Sequence, residues 1–357
     1  MYISYPFCAQ KCTYCNFASG VFTRELEQAY VDALAKELRN TAWQWTPETV
    51  YFGGGSPSRM APEALESLLA LIPGAPWAEA TLEAAPSDIT SGRARAWAHA
   101  GINRASLGVQ SFVQKELRQT GRTHSAETVV ASVASLRDAG ISNFNLDLIA
   151  GLPHQTPASW SESLDWIERL EAPHVSVYML EVDDDSRLGS EILAFGKRYG
   201  ASNAPTPEQT ADFYETAVER LGRMGLARYE ISNFAQPGFE SRHNLKYWRR
   251  EPYLGFGSDA HSFDGMWRWN NVESASEYVR RMEQRGDARE DRTAADAAGE
   301  PLFLGLRLSE GTEADWSRFD RAVREFEREG LLEIAGPRLR LTSRGVLLSN
   351  EVFEAFV

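Results

Sequence analysis

Residues 6–17 read Pro-Phe-Cys-Ala-Gln-Lys-Cys-Thr-Tyr-Cys-Asn-Phe, and they contain all three cysteines of the 357-residue chain. Cys8, Cys12 and Cys15 are separated by three residues and then by two. A free cysteine is usually a small buried hydrophobe, but that role does not explain why the rest of the chain lacks cysteine. Three thiolates at this spacing can surround one soft metal centre.

The donor set of this loop distinguishes between metals. Structural zinc sites usually take a fourth cysteine or histidine at a similar spacing, and the nearest histidine in the sequence is His99. An iron–sulfur cluster held by three cysteines leaves one iron open, where a small molecule can bind. The loop therefore favours an iron–sulfur cluster over zinc.

Composition excludes several classes of protein. The chain has 37 basic and 50 acidic side chains and a formal net charge of −13, which argues against a protein that grips nucleic-acid backbones. No apolar run approaches the roughly 20 residues of a membrane-spanning helix, and no secretory signal is visible. Three cysteines cannot all pair with one another, which excludes a disulfide scaffold. We expect a cytoplasmic protein with no nucleic-acid partner and no integral membrane segment.

Hydrophobic periodicity predicts six alternations of strand and helix within about the first 225 residues. The predicted strands are residues 1–4, 50–52, 80–85, 104–108, 144–149 and 174–180. The predicted helices are residues 24–39, 62–72, 91–100, 125–139, 158–170 and 207–224. This alternation indicates an α/β fold with a parallel sheet and right-handed crossovers. Periodicity alone leaves a β/α barrel and a doubly wound open sheet as alternatives.

The regular alternation of predicted strands and helices ends at about residue 226. Residues 243–248 and 255–263 are aromatic stretches without a long helical period, and residues 287–299 form a polar boundary. Residues 300–357 predict a small, mostly helical module with a hairpin, which suggests a winged-helix-like shape. A winged helix often binds DNA, but this one lacks a dense basic patch, so we do not expect DNA binding.

Polar residues and glycines follow several of the predicted strands. Gly54, Gly55 and Ser56 come after the second strand, where glycine lets the backbone approach a ligand closely. A glycine triplet alone is a weak signal and is also typical of a tight turn.

A second group of polar residues has the chemistry of one ligand. Glu83, Gln110 and Asp147 lie at or just after the third, fourth and fifth strands, and Arg122 lies in the loop after Gln110. Each alone could be an ordinary surface residue. Together they offer carboxylates to an ammonium and to ribose hydroxyls, and an arginine fork to a carboxylate.

The cysteine spacing, with Tyr14 directly before the last cysteine, resembles the signature of radical S-adenosylmethionine (SAM) proteins. The resemblance implies a partial (β/α)6 barrel in which Cys8, Cys12 and Cys15 hold a [4Fe–4S] cluster. Its open iron would bind the amino and carboxylate groups of SAM. An electron from the cluster can then cleave SAM to methionine and a 5′-deoxyadenosyl radical, so an electron donor is an implied partner.

Longer strings resemble one branch of that superfamily, the oxygen-independent coproporphyrinogen III oxidases and the HemW-type heme chaperones. The strings are YISYPFCAQKCTYCNF, YFGGGSPS, SLGVQSF, NLDLIAGLPHQT and YEISNFA. The positions that match SAM-contacting residues of that branch are Tyr2, Tyr14, Gly54, Gly55, Ser56, Glu83, Gln110, Arg122 and Asp147. The resemblance implies a radical SAM core over 1–235, a heme-motif segment over 236–290 and a C-terminal HemN-like domain over 291–357.

Two features favour the chaperones over the oxidases. Phe17 stands where the oxidases have a fourth cysteine, and residues 243–248 fit the HNxxYW motif associated with heme binding. The resemblance implies that His243 ligates heme iron, with Tyr247 and Trp248 against the porphyrin. The alternative for His243 is an ordinary buried, hydrogen-bonded histidine. His261 is a second candidate ligand, for which we expect a structural role.

The resemblance thus implies a chaperone that binds heme and hands it to apo-hemoproteins such as respiratory cytochromes. The alternatives are an oxygen-independent coproporphyrinogen III dehydrogenase and a radical SAM enzyme with an unrelated substrate. Whether SAM is cleaved in the working cycle stays open, as does the choice between monomer and homodimer. The chain departs from the family pattern at Ser4, where a histidine is usual, and in the acidic stretch from Glu181 to Asp185.

Overall fold

The computed structural model of the protein describes residues 1–357, and a nine-stranded sheet forms its centre. The strands of this sheet are β1 (Tyr2–Tyr5), β2 (Thr49–Gly54), β3 (Glu79–Ala84), β4 (Arg104–Gln110), β5 (Asn143–Ala150), β6 (His174–Met179), β7 (Ala227–Arg228), β8 (Asn233–Ala235) and β9 (Gly255–Phe256). The first six correspond to the six predicted strands.

The sheet is parallel in its centre and open at its edges. Its order is β7-β8-β6-β5-β4-β3-β2-β1-β9. Strands β1 to β6 pair in parallel with their neighbours, and β9 adds to β1 in parallel. Strands β8 and β7 pair antiparallel at the other edge. The α/β prediction of a partial barrel is therefore confirmed, whereas the sheet continues to Phe256, past the predicted core boundary at residue 235.

Eight helices connect the strands of the core. They are α1 (Arg24–Asn40), α2 (Pro62–Leu69), α3 (Ser91–His99), α4 (Gln114–Thr120), α5 (Ala126–Asp138), α6 (Pro157–Arg169), α7 (Arg187–Leu193) and α8 (Pro207–Arg223). The side chains of Thr23, Ser125, Thr156 and Thr206 cap α1, α5, α6 and α8, because each accepts a hydrogen bond from a backbone N–H in the first turn. Periodicity missed α4 and α7, which have seven residues each.

The strands have one apolar and one polar face, and both are buried. In β3, Ala80 and Leu82 alternate with Glu79, Thr81 and Glu83, and all but Glu83, which is half-buried, are buried. Successive side chains of a strand point to opposite faces. The polar face carries the candidate site, so the sheet itself presents the charged and amide groups to one another.

The rest of the chain forms two small sheets and six helices. The strands are β10 (His261–Phe263), β11 (Trp267–Asn270) and β12 (Thr293–Ala294) in one sheet and the hairpin β13 (Leu332–Ala335) and β14 (Arg338–Leu341). The helices are α9 (Arg242–Trp248), α10 (Ala275–Arg285), α11 (Glu300–Gly305), α12 (Asp320–Arg328), α13 (Ser343–Leu347) and α14 (Ser349–Glu354).

The C-terminal part has the predicted arrangement of a hairpin among short helices. The hairpin β13–β14 lies between α12 and α13 in the chain. A single cluster of 67 buried apolar residues runs from Met1 to Phe356, so the C-terminal module packs onto the core of the barrel. None of the helices combines the length and the apolar character needed to cross a bilayer.

Candidate cofactor site

The cysteine loop follows β1 at the carboxyl edge of the parallel sheet. Cys8, Cys12 and Cys15 are free thiols of intermediate exposure, and burial raises the pKa of the Cys8 thiol. No group of three or more His, Cys, Asp or Glu side chains is arranged to hold a single metal ion. The three thiols instead border one cavity at this edge of the sheet.

That cavity has a volume of about 370 Å³ and brings together most of the predicted site residues. Those on its wall are Cys8, Cys12, Tyr14, Cys15, Gly54, Gly55, Ser56, Glu83, Gln110, Arg122 and Asp147. Tyr2 and His243 do not line it. Sequence reasoning did not identify Ser106, Gly108 and Tyr178, which also face the cavity. The sequence feature that could have identified these three residues is the alternation of polar and small side chains within the predicted strands.

Two glycines join the end of β2 to the cysteine loop. Gly54 has a φ of +106°, which favours glycine. Gly55 N–H donates to Tyr5 O at 2.8 Å, and Ser56 N–H donates to Phe7 O at 2.9 Å. A Cβ on Gly55 would lie 2.7 Å from the carbonyl carbon of Pro6. Only glycine allows this approach, so the glycine motif holds the cysteine loop against the cavity.

Glu83 is a half-buried residue of β3 whose side chain lines the cavity. It accepts hydrogen bonds from Tyr51 OH at 2.9 Å and from Gly54 N–H at 3.1 Å. Burial raises its pKa to about 7, and the nearby Asp147 adds to this effect. A ligand with a positive charge would favour the ionised form of this carboxyl group.

Gln110 and Arg122 carry polar atoms that no protein group satisfies. Arg122 Nη2 donates to Tyr14 OH at 3.1 Å, but Arg122 Nε and Gln110 Oε1 are buried without a hydrogen-bond partner. A Cβ on Gly108 would lie 3.0 Å from Gln110 Nε2 and 3.3 Å from Arg122 Nη2, so glycine leaves room for both side chains. Gln110 also has a φ of +68°, a strained value for a residue other than glycine.

These unsatisfied atoms test whether the residues fit SAM and a cluster. Buried polar atoms are nearly always hydrogen-bonded in proteins, so an unpartnered guanidinium donor and an amide acceptor in one cavity indicate a ligand. Arg122 suits a carboxylate, and the three thiols suit iron. The donor set therefore fits both groups.

A chain of hydrogen bonds links Asp147 to the start of α9. Asn145 Nδ2 donates to Asp147 Oδ1 at 2.6 Å, and Asn145 Oδ1 lies 2.7 Å from His174 Nδ1. His174 Nε2 lies 2.8 Å from Tyr229 OH, which accepts from Ser241 N–H at 3.2 Å. Burial lowers the pKa of His174 well below its usual range, so the ring is neutral. Sequence reasoning did not identify this chain.

His243 lies at the other end of the strands from the cavity. It is 2% exposed; its Nδ1 is 2.9 Å from Thr49 Oγ1 and its Nε2 is 2.8 Å from Tyr247 OH. Burial lowers its pKa well below the usual range. Thr49 begins β2, whereas Gly54 ends it. Neither ring nitrogen is free for iron in this structure, so heme ligation by His243 would require a hydrogen bond to break.

Of the two departures from the family pattern, the acidic stretch borders the cavity, whereas Ser4 does not line it. Ser4 is buried, and its carbonyl accepts a hydrogen bond from Tyr30 OH at 3.0 Å. In the acidic stretch, Glu181 lines the cavity, and Asp183 accepts from Asn16 Nδ2 at 3.1 Å. The acidic stretch therefore borders the mouth beside the cysteine loop.

Comparison with known proteins agrees with this site. A family model described as the radical SAM superfamily matches residues 2–167, and one described as the HemN C-terminal domain matches residues 293–348. The chain is 33% identical to the heme chaperone HemW of Bacillus subtilis (strain 168), with 100% of this chain and 98% of that protein covered. It is 34% identical to the heme chaperone HemW of Escherichia coli (strain K12), over 73% of this chain and 69% of that protein.

A solved structure supports the same fold. Coproporphyrinogen III oxidase (HemN) from Escherichia coli superposes with a TM-score of 0.85 and 22% identity, covering 99% of this chain and 89% of that chain. At this identity the likeness concerns the fold alone. Together with the full-length similarity to HemW proteins, these findings confirm the family resemblance. The chain therefore belongs to the radical SAM superfamily and, within it, to the HemW family.

Proposed function

We propose that the protein is a heme chaperone, which binds heme and transfers it to apo-hemoproteins such as respiratory cytochromes. The observation that carries this proposal is the similarity to a named heme chaperone along the whole of both chains. It includes residues 168–292, which neither family model covers. That segment holds α9 and β10, and thus both candidate heme-ligating histidines.

We propose that the cofactor cavity holds a [4Fe–4S] cluster and SAM. Cys8, Cys12 and Cys15 would bind the cluster, which leaves one iron for SAM. Bound together, the two groups supply one-electron reduction chemistry, for which an electron donor is needed.

The protein groups around the cavity would orient SAM by charge and hydrogen bonding. Arg122 would pair with the carboxylate of SAM, and Glu83 would accept hydrogen bonds from its ammonium group. Asp147, which is buried and has a raised pKa for that reason, would accept hydrogen bonds from the ribose hydroxyls. Gly54, Gly55 and Ser56 would bring backbone groups close to the methionine end.

The remaining parts of the proposal concern the partners and the location. We place heme transfer in the cytoplasm, with heme, an apo-hemoprotein and an electron donor as partners. Sedimentation of the reconstituted protein with and without heme distinguishes a monomer from a homodimer.

The test of the function is a transfer experiment under anaerobic conditions. Cluster-reconstituted protein with SAM is titrated with heme, separated from free heme, and mixed with an apo-cytochrome. We expect a Soret band on the chaperone, followed by its loss as the cytochrome spectrum appears. Absence of heme binding, or heme that never reaches the acceptor, would contradict the proposal.

The same preparation tests the enzyme alternative. It is incubated with coproporphyrinogen III, SAM and a reductant, and the products are separated by chromatography. Formation of protoporphyrinogen would support the dehydrogenase and overturn a role restricted to chaperoning.

A further inference from the structure

We propose that heme is held in an aromatic groove between the barrel edge and the C-terminal module, with His261 as its iron ligand. The proposal rests on the proposed function, because the heme cargo is what calls for such a ligand. It assigns the iron to a different histidine from the one in the HNxxYW motif.

The aromatic groove is a cavity of about 400 Å³, separate from the cofactor cavity. Eight side chains line it, and they are Tyr2 of β1, Tyr247 and Trp248 of α9, Tyr253, Asp259, His261 of β10, Arg268 of β11 and Leu304 of α11. Four of these eight side chains are aromatic rings other than histidine, and two, Asp259 and Arg268, are charged. Heme is a flat, largely apolar molecule, so burial of its macrocycle against such rings supplies much of the binding free energy.

His261 is the histidine that lines the groove, and it is therefore the candidate ligand of heme iron there. It is the first residue of β10, and it is exposed while Ser262 and Phe263 are buried. No side-chain hydrogen bond fixes its ring, so both nitrogens are open. A neutral imidazole is a common axial ligand of heme iron. His243, by contrast, is 2% exposed, has both ring nitrogens in hydrogen bonds and does not line the groove.

The aromatic rings stand at fixed angles around this histidine. The rings of Tyr247 and Tyr253 meet edge to face, with centroids 4.6 Å apart, and Trp248 follows with its centroid 6.5 Å from Tyr247. The indole N–H of Trp248 is buried without an acceptor in the protein, so it is available to a polar group of a ligand. The guanidinium of Arg268 is less available to a ligand, because it donates two hydrogen bonds to Glu300 at 2.7 and 2.8 Å.

This arrangement gives the HNxxYW motif a role without iron ligation. Tyr247 OH is bonded to His243 Nε2 at 2.8 Å, and His243 is anchored to Thr49 on β2. His243 therefore orients the Tyr247 ring that forms a wall of the groove. In this proposal His243 is a positioning residue, and Tyr247 and Trp248 contact the porphyrin.

The groove and the cofactor cavity share a wall. A Cβ on Gly53 would lie 2.9 Å from Tyr2 Cε2 and 3.1 Å from Glu83 Oε1. Tyr2 lines the groove and Glu83 lines the cofactor cavity. Heme in the groove would thus be bound next to SAM but outside the SAM site. An exposed ligand also suits a chaperone, because an acceptor protein can reach the iron without unfolding the donor.

The test compares variants of the cluster-reconstituted, SAM-bound protein in anaerobic titrations with heme. We expect His261→Ala to shift the Soret band and to weaken heme binding by roughly tenfold or more. His261→Gly should lose the same band position and regain it when imidazole is added. His243→Ala should weaken binding but keep the spectrum of histidine-ligated iron, because it only loosens Tyr247. His99→Ala, at an exposed histidine in the last turn of α3, is the matched control and should behave as wild type.

The outcomes separate this inference from the proposed function. If the wild-type protein binds no heme, both the chaperone proposal and the assignment of heme to the aromatic groove are wrong. If wild-type protein binds heme and His261→Ala retains its band position and affinity, the groove is overturned while the chaperone proposal stands. A Soret shift in His243→Ala alone would likewise overturn the assignment to His261. Unchanged iron content per chain in every variant shows that the cluster site is intact.

Discussion

Arg122 is the residue whose unsatisfied atom points most directly to a ligand. It is held by Tyr14 on one side, and its Nε has no partner. A guanidinium in a cavity is a strong and directional partner for a carboxylate, since the two groups form parallel charge-assisted hydrogen bonds. The residue therefore links the geometry of the cavity to the chemistry of SAM.

Replacement of Arg122 by alanine should weaken SAM binding by roughly 2–3 kcal/mol, because a charge-assisted contact is lost. Isothermal titration of SAM into the cluster-containing protein measures this change. Arg118→Ala is the control, since Arg118 is an exposed arginine on α4, in the same region of the fold. Equal SAM affinity in wild type and Arg122→Ala would show that the carboxylate binds elsewhere.

Glu83 should make the stability of the SAM-free protein depend on pH. Burial raises its pKa from 4.5 to about 7 in the folded state. Between these values the folded protein holds a proton that the unfolded chain has released, so the free energy of unfolding falls as pH rises. Below this window both states are protonated at Glu83, and no difference arises.

Glu83→Gln should remove most of that fall, by an amount on the order of 3 kcal/mol at pH values above about 7. Urea unfolding at several pH values measures it. Glu66→Gln, at an exposed glutamate on α2, should leave the pH profile unchanged. A profile for Glu83→Gln that runs parallel to wild type would contradict the burial of an ionisable group at this position.

Among the elements, those with regular periods and local caps were predictable from sequence. The helices α1, α5, α6 and α8 begin with Ser or Thr caps, and their predicted bounds agree with the structure within two residues. The strand β9 has two residues and α9 has seven, too few for periodicity to show. Helix α9 depends on a distant partner, because Glu79 of β3 accepts hydrogen bonds from the backbone N–H groups of Arg242 and His243.

The joint between β2 and the cysteine loop should tolerate no side chain at Gly55. Gly55→Ala places a Cβ 2.7–2.8 Å from three backbone atoms, so the strand end and the loop must separate. We expect a loss of roughly 1–3 kcal/mol in the free energy of unfolding and faster loss of iron during anaerobic dialysis. Urea titration and iron analysis measure both effects.

Gly222 of α8 provides the control for that substitution. No atom lies within 4 Å of a Cβ built on it, and alanine is favoured over glycine in a helix by roughly 0.5–1 kcal/mol. Gly222→Ala should therefore be neutral or stabilising and should retain iron. If Gly55→Ala matched Gly222→Ala in both measurements, the close approach at Gly55 would be wrong.

At the scale of the whole molecule, one ion cluster ties the C-terminal module to the rest of the protein. Glu300, at the start of α11, pairs with Arg268 of β11 at 2.7 Å and with Arg250 at 2.9 Å. The carboxylate side chain is 10% exposed, and its partners are 20–28% exposed. The ion pair with Glu300 also holds Arg268 in place in the wall of the aromatic groove. The same contacts therefore affect both the stability of the module and the shape of the groove.

Glu300→Ala should leave two arginines without their partner and lower the free energy of unfolding by roughly 2–3 kcal/mol, somewhat less than for a fully buried pair. Chemical denaturation measures this effect. Glu333→Ala breaks the exposed pair with Arg340 on the hairpin, and a surface pair contributes about 0–1 kcal/mol. Equal effects of the two substitutions would show that Glu300 does not join the module to the barrel.

The sequence by itself determined the features that depend on local spacing. Three cysteines within eight residues, glycines after a strand and six βα alternations predicted the parallel sheet and part of the set of residues that line the cofactor cavity. These features can be read from the sequence alone. Parallel strands bring their carboxyl ends to one edge of the sheet, so residues that follow different strands are expected to lie close together. Glu83, Gln110 and Asp147 followed from their positions at the ends of strands, whereas Ser106, Gly108 and Tyr178, which also line the cavity, were not predicted.

Only the tertiary structure decided the environment of the histidines and of Tyr2. His243 and Thr49 are 194 residues apart in the chain yet share a hydrogen bond, and the chain from Asp147 to Ser241 crosses several strands. Whether a histidine is buried and bonded, as at His243, or exposed and free, as at His261, depends on which distant segments pack against it. Contacts between distant segments produce no periodic pattern in the sequence. The surroundings of each histidine could therefore be determined only from the folded structure.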